Sequence, residues 1–337
     1  MTPNLRFWFV CLLLLTLAGL PSCGASSADQ PPFTSNHEAL VLDVPAQFRF
    51  VAFGDTRFHD PADTEAANAV VRQTLVKAID EEKPAFVSIG GDIVYSGDNP
   101  KDWQVWDSET SLWQAHNIVV YPALGNHDLH GDQKTTLGNY FARFPAIKES
   151  RFYSVRIGNS LMLILDSALD ELTGPQGDWL RGQLDHLDSN IDFAFFVFHH
   201  PPYTSSSDEK TYGGGHSARE KELGLAAFLE EKQKQVRARA RFVVFNGHVH
   251  NYERHEHNGV IYFVTGGGGA HAYPIARKAD DLYKDPGINY HYLLVAVDKN
   301  QVRITMKKLE FKDGKPVWTQ PDETVIPASL AKAAGIR

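Results

Sequence analysis

The sequence predicts an α/β protein, because short runs of β-branched and aromatic residues alternate with helical patterns from about residue 48 onward. Five of the predicted strands end in an element that combines Gly with Asp, Asn or His, or that pairs two histidines. In open α/β sheets the ligand site lies at the carboxyl ends of the strands, so these elements are expected to meet. Apolar residues make up 43% of the 337 residues and charged residues 22%, which is the composition of a folded globular protein.

The five strands are predicted at residues 48–53, 85–89, 118–124, 193–198 and 242–245, with helices at 64–82, 102–116, 176–187 and 220–237. The first helix is inferred from apolar residues at a 3.6-residue spacing, among them Val71, Leu75 and Ile79. Glycine-containing turns predict a hairpin over 153–166 and another that leads into 260–265, and 290–297 is expected to pair with 302–309. Loops are predicted at 128–148, 203–219 and 270–289.

The N-terminal 22 residues are predicted to be a secretion signal. An apolar run at 7–20 follows a single arginine, and it is shorter than the roughly 20 residues that a membrane-spanning helix needs. The stretch Leu20-Pro21-Ser22-Cys23 resembles a bacterial lipobox, which predicts a lipid anchor at Cys23; an ordinary cleaved signal with a chance cysteine is the alternative. Residues 23–47 are predicted to be a tether and 310–337 a C-terminal extension. The protein is therefore expected in the cell envelope, periplasmic or outer-membrane, and attached to a membrane only through Cys23.

Charge and cysteine content exclude several classes of function. The formal net charge is −8 and there is no run of five or more basic residues, which argues against a nucleic-acid partner. Both cysteines lie within the first 23 residues, so the body of the chain has no disulfide framework, thiolate metal site or cysteine nucleophile. Histidine is abundant instead, and seven of the fifteen lie between His199 and His257.

The polar elements at the strand ends supply side chains that bind metals. In chain order they are Gly54-Asp55, Gly91-Asp92-Ile93-Val94-Tyr95, Gly125-Asn126-His127-Asp128, His199-His200 and Gly247-His248-Val249-His250. Carboxylate, amide, phenol and imidazole groups suit borderline or hard transition metals rather than copper(I) or calcium. They are too many for one tetrahedral ion and fit two ions that share a carboxylate, which is the usual arrangement for in-line displacement at phosphorus.

These five ordered motifs, which cover residues 54–250, resemble those of the calcineurin-like metallophosphoesterases, and residues 247–254 resemble the purple acid phosphatases among them. The resemblance implies a four-layer α/β/β/α sandwich with two mixed β-sheets, as one catalytic domain over 48–309. It also implies two metal ions: the first held by Asp55, Asp92, Tyr95 and His250, the second by Asp92, Asn126, His199 and His248, with Asp92 bridging. One departure is Arg57, which stands where that subgroup usually has glycine.

Tyr95 takes the place of the histidine that the common superfamily pattern has at the first motif. A free phenol titrates at about pH 10, so it binds divalent zinc or manganese poorly at neutral pH, whereas trivalent iron stabilises a phenolate. The sequence therefore predicts Fe(III) in the first site, with Fe(II), Zn or Mn in the second, and a pink to purple colour. The alternative is that Tyr95 only packs beside a two-zinc site.

Three further residues are predicted to act on the substrate. His127 is expected to stabilise the phosphoryl oxygens, and Asp128 to orient the imidazole of His127. His216 is the candidate acid that protonates the leaving group.

Three other features have a predicted structural role. His200 is expected either to support the ligands or simply to pack, and His59 is expected to be solvated. The four glycines at 266–269 lack the Lys-Ser/Thr of a P-loop, so they predict a close approach of the backbone beneath the metals.

The predicted function is hydrolysis of phosphomonoesters outside the cytoplasm by an acid phosphatase. The sequence leaves two alternatives: a phosphodiesterase with the same metal centre, and a non-catalytic binding protein on this scaffold. The second is disfavoured because no ligand position carries an inert side chain. A metal-dependent nuclease is disfavoured by the acidic net charge. The sequence contains no signal for the natural substrate or the oligomeric state.

Overall fold

The structure is a computed structural model, and it describes residues 38–206 and 216–328. The strands are β1 (Leu40–Leu42), β2 (Phe48–Phe53), β3 (Phe86–Ile89), β4 (Val119–Pro122), β5 (Tyr153–Ile157), β6 (Ser160–Ile164), β7 (Phe193–Val197), β8 (Arg241–Asn246), β9 (Tyr252–His257), β10 (Val260–Thr265), β11 (Tyr290–Val297), β12 (Gln301–Lys312), β13 (Lys315–Thr319) and β14 (Glu323–Pro327). The helices are α1 (Ala69–Glu82), α2 (Pro100–Glu109), α3 (Ser111–Ala115), α4 (Gln133–Arg143), α5 (Gly174–Asp185) and α6 (Glu220–Val236), with a 3₁₀ turn at Pro145–Ile147. The predicted signal and Cys23 lie outside the described residues. None of the described helices is long and apolar enough to cross a membrane.

Within the described residues the strands form two mixed sheets of seven strands each. The first sheet has the order β1-β5-β6-β7-β8-β10-β9, with a parallel centre from β6 to β10 and antiparallel pairs at β5–β6 and β9–β10. The second has the order β13-β12-β11-β2-β3-β4, with β14 also paired to β12 and with β2, β3 and β4 parallel. The prediction of two mixed sheets is confirmed.

The sheets pack face to face on an aromatic core. The Phe195 ring of β7 meets the Phe50 ring of β2 edge-on at 5.2 Å between centroids, and Phe50 stacks on Phe86 of β3 at 4.7 Å. The next residue of β7, Phe196, points to the opposite side and packs in a second apolar cluster with Leu225 of α6. Alternate residues of a strand point to opposite faces, so one strand serves both the inner core and an outer helical layer.

Helices complete the outer layers, with α1 against the second sheet at β11 and α6 against the first at β8 and β10. Helix α1 begins later than predicted because the Asp63 side chain ties the preceding residues into a turn, accepting hydrogen bonds from the backbone N–H groups of Glu65 and Ala66. Asn68 then caps the helix by accepting from Val71 N. The four-layer arrangement is therefore confirmed.

Several elements differ from the sequence-based prediction. The helix predicted at 102–116 divides into α2 and α3 at Thr110, whose hydroxyl donates to the carbonyl oxygen of Trp106 at 2.7 Å. The loop predicted at 128–148 contains α4, which Asp132 caps. Strand β1 lies within the predicted tether, and β13 and β14 lie within the predicted C-terminal extension. The sheets therefore continue on both sides of 48–309.

Candidate metal centre

The turns that follow the strands meet at one edge of the sandwich. Gly90 N donates to the Phe53 carbonyl oxygen at 2.8 Å, and Gly247 N donates to the His199 carbonyl oxygen at 2.9 Å. A Cβ atom added at Gly90 would lie 3.3 Å from Gly247 N, which shows that turns from the two sheets are in contact. The strand-end motifs therefore converge as the sequence predicts.

Three of the predicted ligands have a left-handed backbone conformation. Asp55 has φ 59°, Asp92 has φ 53° and His248 has φ 69°. Residues other than glycine rarely adopt this region, and each such conformation costs about 1–3 kcal/mol. The surrounding structure holds them there because the chain must turn sharply after each strand to aim these side chains at a common point.

The run of four glycines lies directly against this point. A Cβ atom added at Gly266 would lie 2.2 Å from the carbonyl oxygen of Val249 and 2.8 Å from Asp55 Oδ2, closer than Cβ atoms come in proteins. Glycine is required here because the backbone itself packs against the Asp55 carboxylate. The predicted close approach of the backbone is confirmed.

One group of ligand atoms comes from Asp55, Asp92 and His250, which are buried and lie within 4.8 Å of one another. His250 Nδ1 is 2.7 Å from the His271 carbonyl oxygen. A carbonyl oxygen only accepts, so Nδ1 carries the proton and Nε2 has the lone pair. That Nε2 has no hydrogen-bond partner among the described residues and lies 3.6 Å from Asp55 Oδ1. A buried lone pair that faces a carboxylate oxygen fits a cation between the two.

A second group comes from Asn126, His199 and His248. His199 Nδ1 is 2.8 Å from the Gly90 carbonyl oxygen, so Nε2 again has the lone pair. His199 Nε2 lies 3.0 Å from Asn126 Oδ1 and 3.2 Å from His248 Nδ1, and Asn126 Oδ1 is 3.2 Å from His248 Nδ1. These separations are those of neighbouring ligands around one ion with bonds of 2.0–2.2 Å.

Asp92 lies between the two groups and is the only predicted shared ligand. Its Oδ1 is 3.3 Å from His199 Nε2 and accepts from His127 N at 2.9 Å, while its Oδ2 accepts from the Arg57 guanidinium at 3.1 Å. Burial alone would raise the pKa of Asp92, but His199, His127 and Arg57 outweigh it and hold the pKa well below its usual range. Burial, and then the charge of Asp92, raise the pKa of Asp55 well above its usual value. The paired carboxylates thus form an anionic site that a cation stabilises.

Arg57 stands at the position where the resembling subgroup usually has glycine, and it lies at the centre. It has φ 43°, a left-handed conformation that explains why glycine is the ordinary residue at this position. Its guanidinium is nearly buried and lies 3.1 Å from the Asp92 carboxylate, the predicted shared ligand. The chain therefore adds one fixed positive charge to the centre.

Tyr95 lies at the rim of the centre, and 37% of its surface is exposed. Its ring packs between the imidazoles of His59, at 4.8 Å between centroids, and His127, at 5.3 Å. The expectation that His59 is solvated is wrong, because its ring nitrogens lie 2.7 Å from Asp102 Oδ1 and 3.2 Å from Asp63 Oδ2. His59 therefore supports Tyr95 and is itself held by two carboxylates.

Asp128 does not orient the imidazole of His127, so that part of the sequence prediction is wrong. His127 Nδ1 bonds instead to the Tyr95 carbonyl oxygen at 2.7 Å. Asp128 is completely buried and accepts three backbone N–H groups, from Ile93 at 2.9 Å, Val94 at 3.2 Å and Gly125 at 2.9 Å. The carboxylate acts through the backbone, since it ties the turn after β3 to the turn after β4.

The structure brings His216 to the centre, as predicted, with its ring 4.6 Å from that of His248 and 5.1 Å from that of His250. The sequence did not reveal Tyr273, whose hydroxyl lies 2.5 Å from His216 Nδ1. Burial, and then the neighbouring His248 and Arg57, lower the pKa of His216 to about 3. The free protein therefore holds this imidazole neutral at physiological pH.

His200 also lies at the centre, with its ring 4.3 Å from that of His248. Its Nδ1 is 2.8 Å from the hydroxyl oxygen of Ser167, a residue that no sequence motif identified. Burial, and then the positive character of His199 and His248, lower the pKa of His200 well below its usual value. His200 is thus a neutral imidazole with a defined partner, and one of its ring nitrogens lies within 4.8 Å of ligand nitrogens of His199 and His248.

Residues 48–252 match the calcineurin-like phosphoesterase family, and the chain belongs to that family. The family that the sequence predicts is therefore confirmed. Two groups of side chains at the strand ends are candidate positions for metal ions: Asp55, Asp92 and His250 form one, and His199 and His248 with the nearby Asn126 oxygen form the other.

The chain is similar to several phosphatases. A phosphoenolpyruvate phosphatase from Allium cepa is 26% identical over 204 residues, which are 56% of this chain and 39% of that protein. Purple acid phosphatase PPD1 from yellow lupin (Lupinus luteus) seeds has 19% identity and a TM-score of 0.63, over 84% of this chain and 55% of that one. A dimetal phosphatase from Danio rerio has 12% identity and a TM-score of 0.55, over 84% of this chain and 99% of that one. The chain spans less than two thirds of the length of the first two.

Proposed function

We propose that the protein is an acid phosphatase that hydrolyses phosphomonoesters outside the cytoplasm with a dinuclear metal centre. The observation that carries the proposal is the convergence of His199 Nε2, His248 Nδ1 and Asn126 Oδ1 within 3.2 Å beside the bridging Asp92. The Allium cepa relative is named for a monoester substrate, and this favours monoesters here too.

The two groups of ligand atoms support the division of two metal ions that the family resemblance implies. Asp55, Asp92, His250 and Tyr95 would hold the first ion, and Asp92, Asn126, His199 and His248 would hold the second. When bound, the ions supply Lewis-acid activation of water and neutralise the phosphoryl oxygens.

The remaining side chains position the ester. Arg57 contributes a fixed cation beside Asp92, which offsets part of the negative charge that an anionic substrate meets in a protein with a net charge of −8. His127 donates its Nδ1 proton to the Tyr95 carbonyl oxygen, so Nε2 donates to a phosphoryl oxygen only when the ring is protonated. Burial lowers the pKa of His127 to about 4, and a phosphate dianion beside the ring would raise it. A phosphate dianion beside His216 would raise the lowered pKa of that imidazole and allow it to protonate the leaving oxygen, with Tyr273 fixing the ring.

The first ion is proposed to be Fe(III), held in part by the Tyr95 phenolate. A hard anionic oxygen favours a trivalent ion. Tyr95 also lies at the rim of the centre, where its ring packs against His127, whose backbone N–H donates to Asp92. Visible spectra of the iron-loaded protein test this assignment. The wild type is expected to show a phenolate-to-iron band that Tyr95→Phe loses, and His186→Ala, an exposed histidine elsewhere, is expected to retain it. A colourless wild type with iron bound, or an unchanged band in Tyr95→Phe, would leave Tyr95 as a packing residue beside a two-zinc site.

The activity is tested with aryl phosphate monoesters and diesters and purified protein loaded with Fe, Zn or Mn. We expect a higher kcat/KM for the monoester, and we expect Asn126→Ala to lower kcat by at least 10²-fold, since it removes a ligand oxygen from the second ion. A preference for diesters would replace the monoesterase proposal with the phosphodiesterase. No turnover with any metal, in protein shown to be folded, would favour the non-catalytic binding protein.

The location outside the cytoplasm rests on the sequence of residues 1–23. Cys23→Ser is expected to prevent lipidation and to release the protein from membranes. A variant that stays fully membrane-bound with lipidation shown to be absent would contradict the anchor.

A further inference from the structure

A second cluster of metal-binding side chains lies on the edge strand β9. His255 and His257 are two residues apart, so they point to the same face of the strand, and their rings are nearly parallel at 6.3 Å between centroids. Asp280 faces them from the neighbouring loop, with Oδ2 3.5 Å from His255 Nδ1 and 3.7 Å from His257 Nε2. These three residues, the β9 cluster, share no residue with the dinuclear centre.

The two nitrogen atoms that face Asp280 have no hydrogen-bond partner in the part of the chain that the structure describes, although both are shielded from water. His255 is completely buried. Its other nitrogen, Nε2, lies 3.2 Å from Glu253 Oε2, and a carboxylate only accepts, so Nε2 carries the proton and Nδ1 the lone pair. Histidines that bind metals have this arrangement, with the second ring N–H donated to a carboxylate.

We propose that the β9 cluster is a third metal site, which binds one divalent ion of the zinc class through His255 Nδ1, His257 Nε2 and the Asp280 carboxylate. Bonds of 2.0–2.1 Å in a tetrahedron separate neighbouring ligand atoms by about 3.3 Å. The separations of 3.5 and 3.7 Å to Asp280 therefore need only a small contraction. Water completes the coordination on the outer side, where His257 and Asp280 are partly exposed.

The position of the site gives the ion a structural role. The Tyr203 ring stacks on His257 at 3.8 Å between centroids. The neighbouring Thr204 donates its hydroxyl to Glu253 Oε1 at 2.6 Å, so the carboxylate that orients His255 also holds this segment. An ion in the β9 cluster thus fastens β9, the loop that carries Asp280 and the segment 203–206, which precedes His216 in the chain.

The competing explanation is an ion-pair network without a metal, in which a protonated His255 lies between Glu253 and Asp280. The carboxylates of Glu253, Asp280 and Asp281, the last paired with Arg277 at 2.9 Å, would stabilise either cation. The geometry favours the metal, because a protonated His255 Nδ1 would be expected to hydrogen-bond to Asp280, whereas Nδ1 lies 3.5 Å from Asp280 Oδ2 with no hydrogen bond. The two explanations predict different amounts of bound metal.

The experiment measures metal bound per chain in the whole protein after zinc loading and removal of free metal. The test variants are His257→Ala and Asp280→Asn, whose side chains are partly exposed and whose loss leaves the dinuclear ligands intact. The matched controls are His186→Ala and Asp178→Asn, which are exposed and far along the chain from β9. Each test variant is expected to bind one zinc fewer than the wild type and both controls. Equal metal content in the wild type and both test variants overturns the site.

Cobalt(II) provides a second measurement that does not depend on activity. The difference spectrum between cobalt-loaded wild type and Asp280→Asn is expected to contain visible d–d bands of a low-coordinate ion. Hydrogen exchange at residues 203–206 is expected to slow several-fold on zinc binding in the wild type and not in Asp280→Asn. A featureless difference spectrum overturns the site, and equal slowing in both proteins overturns its role in fastening the segment. The wild type, the test variants and the controls all keep the ligands of the dinuclear centre. The expected differences in bound zinc, cobalt spectrum and hydrogen exchange therefore hold whether or not the protein is a phosphatase.

Discussion

Glu171 is a buried carboxylate between β6 and α5, and neither of its oxygens has a hydrogen-bond partner among the described residues. Lys221 Nζ lies 3.5 Å from it and is shared with a second buried carboxylate, Glu222, at 3.6 Å. Burial, and then the charge of Glu222, raise the pKa of Glu171 from 4.5 to about 8. We predict that Glu171→Gln stabilises the protein at alkaline pH.

The sign follows from the raised pKa. Below about pH 4.5 Glu171 is protonated in the folded and unfolded protein, so its charge costs nothing. Between about pH 4.5 and 8 the unfolded chain loses the proton and the folded protein keeps it, so the free energy of unfolding falls by up to about 1.4 kcal/mol per pH unit. Over this interval the loss in the free energy of unfolding is at most about 5 kcal/mol. Relaxation of the structure around the charged Glu171 reduces the expected loss to roughly 2–4 kcal/mol. Glutamine removes this loss, and its amide can donate to the Glu222 carboxylate.

Urea unfolding at pH 4 and pH 8 measures the effect. The free energy of unfolding of Glu171→Gln is expected to exceed that of the wild type by about 2–4 kcal/mol at pH 8. At pH 4 the two values are expected to agree within about 0.5 kcal/mol. Glu231→Gln, an exposed glutamate of α6, is the control and is expected to stay within about 0.5 kcal/mol at both values. No gain for Glu171→Gln at pH 8, or the same gain at both pH values, would refute the reasoning.

Three further predictions concern the centre. Gly266→Ala places a Cβ atom 2.2 Å from the Val249 carbonyl oxygen, so it is expected to lower the free energy of unfolding by more than about 2 kcal/mol in urea unfolding, and an equally stable variant would contradict the close approach. Asp128→Asn places an amide N–H against one of the backbone N–H groups that Asp128 accepts, such as that of Gly125, and is expected to lower the free energy of unfolding by about 1–3 kcal/mol. An unchanged free energy of unfolding would mean that these hydrogen bonds do not hold the turns. His216→Ala is expected to lower turnover of an alkyl phosphate 10²–10⁴-fold, with a much smaller loss for a nitrophenyl phosphate, and equal losses would remove His216 as the acid.

The strand-end motifs were predictable because each joins a residue that permits a turn to a side chain that binds metal. The same logic failed for Asp128, whose position beside His127 in the sequence indicated a contact between their side chains. In the structure the two side chains diverge, because Asp128 turns inward to three backbone N–H groups. Adjacency in sequence was therefore weak support for a shared role of these two side chains.

Other features were missed for different reasons. Helix α4 does have a sequence signal, since Leu137, Tyr140 and Phe141 are buried at helical spacing after the Asp132 cap. Tyr273 has none, because its contact with His216 joins residues far apart in the chain. The β9 cluster falls between these cases: the spacing of His255 and His257 is visible in the sequence, but only the fold places Asp280 against them.

His199 and His250, the two predicted ligands whose lone pair is on Nε2, are oriented by main-chain oxygens, those of Gly90 and His271. Every amino acid carries such an oxygen, so a point mutation at either position does not delete the acceptor. The exposed residue 271 is therefore free to drift during evolution while the ligand tautomer of its partner stays the same. Because the acceptor belongs to the main chain, side chains on the outer surface of the centre can be substituted without changing the tautomer of the ligand histidines.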